Sequence, residues 1–142
     1  MKRFNLKNDL KIFLDEMYER YNTKEFIDKD PIQIPYRFSE KKDIEISAFL
    51  TSIISWGNRK MIINNAHRLM EIMDYSPYKF IINSNEKDFH KISFTHRTFN
   101  AEDLKFFFIS LKNIYLNYGG LEKVFHVSGN EDKVFNAIIR FR

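Results

Sequence analysis

The chain has no cysteine, few glycines and prolines (4 and 3), and no dominant charge sign. Without cysteine there is neither a disulfide framework nor a thiolate metal site, which agrees with a reducing compartment. The scarcity of glycine and proline, against 15 phenylalanines, excludes a turn-rich β-sandwich and leaves little room for disorder. The longest apolar runs are a few residues, such as Phe106-Phe107-Phe108-Ile109, so no transmembrane helix is expected. Met1-Lys2-Arg3 is basic, but the residues after it alternate charged with apolar instead of building the apolar stretch of a signal peptide. A cytoplasmic chain follows. His67, His90, His96 and His126 show none of the short spacings of a metal site, and no nucleophile–base pair, glycine-rich phosphate loop or dinucleotide fingerprint occurs. No metal and no cofactor is expected.

What is present suits one helical domain. At 142 residues with 44% hydrophobic content, a single core can be buried without staples. Leu6, Leu10, Phe13, Leu14, Met17 and Tyr21 recur at helical spacing, so residues 6–22 are an amphipathic helix with Asn5 as its cap. From Thr23 to Phe38 the period fails. Pro31 and Pro35 call for extended backbone at Asp30 and Ile34, and Phe26, Ile27, Ile32, Ile34 and Phe38 should drape this connector over the core. Ser39 is a suitable cap for a helix with Glu40 and Asp43 in its first turn and an apolar stripe of Ile46, Phe49, Leu50, Ile53 and Ile54. Asp43 and Glu45, two apart on that helix, diverge too much to be paired acids, and Asp43 is read as capping charge.

Gly57 ends this helix and Asn58 caps the next, along which Met61, Ile62, Ala66, Leu69, Met70 and Met73 recur, so residues 40–74 form a helical hairpin. Ser76-Pro77 starts a short helix to about Ile82, and a turn of helix runs from Glu86 to His90. Asn100 and Asp103 open a long helix closed by Gly119-Gly120, and a last helix begins near Glu131. The fold class is all-α, a compact orthogonal bundle of about five to seven helices. With no stop signal after Ile138-Ile139-Arg140-Phe141-Arg142, the chain is expected to be part of something longer.

Two segments carry candidate chemistry. At Trp56-Gly57-Asn58-Arg59-Lys60 a helix start offers free backbone N–H groups beside two cations, which suits a phosphate. The competing reading is an ordinary turn with Trp56 in the core and Arg59 on the surface. In Phe94-Thr95-His96-Arg97-Thr98-Phe99, His96 and Arg97 sit between aromatics with His90 and Lys91 upstream, which suits phosphate contacts near a stacking surface. Core aromatics flanking a surface loop explain it equally. The net charge of +4 allows a polyanionic partner, although 19 acidic residues are mixed among 23 basic ones.

The segments Asp30-Pro31-Ile32-Gln33-Ile34-Pro35-Tyr36-Arg37-Phe38, Asp43-Ile44-Glu45-Ile46, Trp56-Gly57-Asn58-Arg59, Leu69-Met70-Glu71-Ile72-Met73-Asp74 and His96-Arg97-Thr98-Phe99 resemble, in order and spacing, an uncharacterised bacterial family, domain of unknown function 2400. Tyr36 stands where that pattern has His. Members continue past the end of this chain, which resembles their N-terminal half. The family is in turn distantly similar to the helix-hairpin-helix DNA glycosylase superfamily. That likeness implies that Asp43 to Met73 is a first core helix pair whose polar turn, Gly57-Asn58-Arg59, sits at a nucleic-acid cleft. The superfamily's DNA-gripping hairpin and catalytic Asp or Lys match no segment here, so no catalytic residue is expected.

The functional expectation is a nucleic-acid-binding helical domain of glycosylase-like ancestry. Asn58, Arg59, Lys60, His96 and Arg97 would hold the phosphates of DNA or RNA. The alternative is a protein-interaction or oligomerisation module, pairing with a second copy or with a C-terminal half-domain through its many Phe and Tyr.

Overall fold

The computed structural model describes residues 6–126 and 133–141. Among the described residues there are nine α-helices: α1 (Leu6–Tyr21), α2 (Lys24–Asp28), α3 (Lys41–Ile53), α4 (Arg59–Ile72), α5 (Pro77–Asn83), α6 (Glu86–Phe89), α7 (Ala101–Asn117), α8 (Leu121–Phe125) and α9 (Lys133–Phe141). No strand occurs among the described residues, so the class is all-α. The six longer helices, α1, α3, α4, α5, α7 and α9, fall within the expected number, and α2 and α8 are short additions. They were missed because five residues give less than two turns of periodicity. The expected cap Asn5 and the expected start at Glu131 lie outside the described residues.

The core is one continuous cluster. Ile46, Leu50 and Ile54 meet Ala66, Leu69 and Met70 of α4, Ile81 of α5, and Leu104, Phe108 and Leu111 of α7. Phe108 is its aromatic centre, with the Phe80 and Phe89 rings 5.5 and 5.3 Å away. Burying each such side chain contributes roughly 1.5–3 kcal/mol. The Asn100 side chain accepts the N–H of Asp103 while the Asp103 carboxylate accepts that of Asn100, a reciprocal cap that fixes the start of α7.

The connector departs from expectation in its packing, since of Phe26, Ile27, Ile32, Ile34 and Phe38 only Ile34 and Phe38 reach the core and Ile32 is exposed, and in its backbone at one residue. Asp30 is extended (φ −119°, ψ 149°), as the following proline requires, but Ile34 is helical (φ −66°, ψ −57°). Pro31–Gln33 and Pro35–Arg37 are two 3-10 turns that share Ile34: its N–H donates to Pro31 O, and its carbonyl accepts from Arg37 N–H. The reason is burial. This conformation sinks Ile34 completely into the core, and that gain outweighs the steric bias against helical backbone before proline.

The start of α3 differs too. Glu40, not Ser39, is its cap residue, and no side chain bonds the first turn. Asp43 instead accepts the Tyr78 N–H at 2.8 Å, so it caps α5 from across the fold. Ser76, with no side-chain cap bond of its own, leaves that donor to it.

α1 has the periodicity of an amphipathic helix, but among the described residues most of its apolar face is uncovered, apart from Met17, which is half-buried, and Tyr21, which meets Phe26. Leu10, Phe13 and Leu14 are each more than half exposed, and α1 contributes nothing to the core cluster.

Candidate functional site

The apolar face of α3 ends at Ile54, and the chain reverses through Ser55, Trp56 and Gly57, the last at φ +109°. Asn58 then caps α4: its side chain accepts the Met61 N–H at 3.2 Å and its carbonyl accepts the Ile62 N–H at 3.0 Å. The N–H groups of Arg59 and Lys60 precede the first intrahelical bonds and are left without backbone partners. Asn58, Arg59 and Lys60 are all exposed.

The second segment folds onto this corner. His96 and Phe99 exchange backbone bonds of 2.8 and 3.0 Å around a two-residue turn, with Arg97 at φ +58°. Phe94 anchors one side of the turn in the core. The turn swings His96 inward. It is 1% exposed, with Nδ1 2.8 Å from Asn65 Nδ2 and Nε2 3.3 Å from the Trp56 carbonyl. The Asn65 amide thus donates to Nδ1, and Nε2–H donates to Trp56 O. His96 does not face solvent, as a phosphate ligand would, but braces the loop against the corner.

Trp56 is not a core residue: it is 39% exposed, with the His96 ring edge-on to it at 5.6 Å. It lies at the turn after the last core residue of α3, and its ring is covered by Arg97, whose guanidinium carbon is 4.8 Å from the indole centre. Arg97 reaches it by passing across Gly57, where a methyl group would sit 3.0 Å from Nη1. Two segments forty residues apart therefore make one surface, with Arg97 on one side of Gly57 and Arg59 and Lys60 following it in sequence. The upstream His90 lies apart from these contacts in its own pairing with Lys105 Nζ, 2.8 Å from Nε2.

Beside the corner is a cleft of about 440 Å³, lined by Asp30, Pro31, Ile32, Pro35, Thr51, Ser55, Gly57, Arg59 and others. Asp30 caps the first 3-10 turn through the Ile32 N–H at 3.1 Å, and its other oxygen lies 3.9 Å from Arg59 Nη2. Thr51 is 4% exposed, and its Oγ1 is the one buried side-chain polar atom without a hydrogen-bond partner among the described residues. Neighbouring hydroxyls are satisfied: Ser55 donates to Thr51 O, and Ser47 to Ile44 O. Thr51 was not expected as a site residue. The available signal was the row Ser47, Thr51, Ser55 at four-residue spacing beside the apolar stripe of α3.

Residues 30–142 match the family described as "Protein of unknown function (DUF2400)". The chain belongs to that family. Neither a curated protein nor a solved structure matches the chain significantly. The corner, the loop and the cleft all lie within the DUF2400 match, whereas α1 and α2 precede it.

A second polar contact ties the DUF2400 region together away from the corner. The Tyr115 hydroxyl donates to Glu45 Oε2 at 2.7 Å, joining α7 to α3. Burial, reinforced by the hydrogen bond to Glu45 and its charge, holds the Tyr115 phenol far above its ordinary range. Asp43 and Glu45 thus take different partners, on α5 and α7. Among the described residues no group of three or more His, Asp or Glu converges as a metal site would require.

Proposed function

We propose that this is a nucleic-acid-binding helical domain of DNA-glycosylase-like ancestry that contributes no catalytic residue of its own. One observation carries the reading: the His96-Arg97 turn packs on the Trp56-Gly57 corner, so that Arg97 covers a partly exposed indole just before the helix start that carries Arg59 and Lys60. Cations and unpaired N–H groups hold phosphates, and an Arg–Trp platform offers a flat surface to a base. Asn58 and His96 act by holding this arrangement, Asn58 as the cap and His96 as the brace. The α3–α4 pair with its polar turn supports the ancestry.

Three phosphate contacts give a slope of log affinity against log salt of roughly −2.7, so binding to duplex DNA should weaken about forty-fold between 50 and 200 mM salt. Arg59→Ala and Arg97→Ala should each weaken binding across sequences and lower the slope by about one. Fluorescence anisotropy with labelled DNA and RNA reads both. Binding that ignores salt, or that neither substitution alters, overturns the proposal.

A second reading, an interaction or oligomerisation module, is favoured by α1, where Leu10, Phe13 and Leu14 present bare apolar surface on a single helix. On that reading the protein self-associates at tens of micromolar in sedimentation runs, and Phe13→Glu with Leu14→Glu returns it to monomer mass. A monomer before any substitution ends this reading for a second copy as partner.

A further inference from the structure

The cleft beside the corner combines three features that a helix start alone does not have. Arg59 and the free N–H groups of the first turn of α4 supply donors for an anion at its mouth. The Arg59–Asp30 pair, at 3.9 Å, is at the outer limit of an ion pair, so most of the guanidinium's donors remain for a second acceptor. In the same lining, Thr51 is buried with an unpaired hydroxyl, and Asp30 offers a carboxylate only partly exposed. Pro31, Ile32, Pro35, Ala48 and Ile62 supply apolar wall, and the Ser52 and Ser55 hydroxyls that also line the cleft already donate to Phe49 O and Thr51 O.

A buried hydroxyl without a partner is uncommon in folded proteins because its desolvation goes uncompensated. Thr51 lines the cleft, and rotation about its Cα–Cβ bond, which a helix allows threonine, would turn the enclosed hydroxyl toward a ligand there. The ligand that matches has an anionic head, hydroxyl groups next to it and a flat apolar end. We infer that this cleft binds a nucleoside monophosphate group, with the phosphate at Arg59 and the α4 start, sugar hydroxyls at Asp30 and Thr51, and the heterocycle against Ile32 and Pro35. The volume, about 440 Å³, lies in the range of ligand sites of roughly 300–1,000 Å³. The choice of a nucleotide over another hydroxylated phosphate rests on the nucleic-acid reading, while the cleft and its orphan hydroxyl do not.

The test is calorimetric titration with adenosine 5′-monophosphate, adenosine and inorganic phosphate, and then with a short oligonucleotide with and without a 5′-phosphate. Adenosine 5′-monophosphate is expected to bind more tightly than either of its parts. A preference for the 5′-phosphorylated strand would identify a strand end as the source, and its absence a free nucleotide.

Thr51→Val keeps the shape of the side chain and removes the hydroxyl. It should weaken nucleotide binding about tenfold and at the same time raise the melting temperature, since the unpaired group is gone. A merely structural threonine would not show these opposed effects. Arg59→Ala should weaken binding by a similar factor with no gain in stability. Failure of adenosine 5′-monophosphate to bind at millimolar concentration, or undiminished affinity in Thr51→Val, overturns the inference. Salt-dependent binding of duplex DNA that persists in Thr51→Val leaves the proposed function standing by itself, so the two fail separately.

Discussion

Gly57→Ala is expected to destabilise the protein by about 2–3 kcal/mol, with two causes acting on the same residue. At φ +109° the backbone of Gly57 is in a region that residues with a Cβ rarely enter, and holding alanine there costs roughly 1–3 kcal/mol. The new methyl would also lie 3.0 Å from Arg97 Nη1 and 3.3 Å from Cδ. The guanidinium end can move away, but it then leaves the Trp56 ring and loses an exposed cation–π contact of about 0.5–1 kcal/mol. Urea unfolding measures the total. The sequence has one tryptophan, so fluorescence reports directly on the corner: emission should shift and iodide quenching should rise. Arg97→Ala supplies the comparison, with a similar change in fluorescence and a stability loss of no more than about 1 kcal/mol. Equal stability of Gly57→Ala and the parent would contradict the turn geometry.

Tyr115→Phe should cost about 1.5–3 kcal/mol near neutral pH, because it removes a hydrogen bond to a charged acceptor and leaves Glu45 without its donor. Its pH dependence is the sharper readout. The folded phenol titrates above its unfolded value, so the folded state binds that proton more tightly. The stabilisation is then fully present below about pH 10, the unfolded phenol value, and is lost as pH rises above it. Urea midpoints at pH 8 and pH 11 should therefore show the parent losing more stability than Tyr115→Phe, with the gap between them narrowing. Titration of lysines and other tyrosines affects both proteins alike. Parallel losses would mean that Tyr115 ionises as freely in the folded protein as in the unfolded chain.

How much of this was legible beforehand depends on the range of the forces involved. The α3–α4 corner, the Asn58 cap and the Asn100–Asp103 reciprocal cap could be read directly, because each depends on residues within one turn of helix. The extended Ile34 and the Asp43 charge expected to serve α3 were local rules overruled from a distance, by complete burial of Ile34 and by the reach of Asp43 to α5. His96 and Trp56 changed places for the same reason: their chemistry suggested a ligand and a core residue, and packing made the histidine internal and left the indole half-open under Arg97.

By itself, the sequence determined that the chain is helical, where α4, α5 and α7 begin, and which two segments carry exposed cations, because helical period, capping side chains and glycine conformations act over a few residues. The tertiary structure alone decided that these segments meet, that Arg97 crosses a Gly57 with no side chain to stop it, and that Thr51 is buried beside a cleft with its hydroxyl unpaired. Those are contacts between residues tens of positions apart, such as His96 with Trp56 at a separation of 40, and they exist only after the core has brought the helices together.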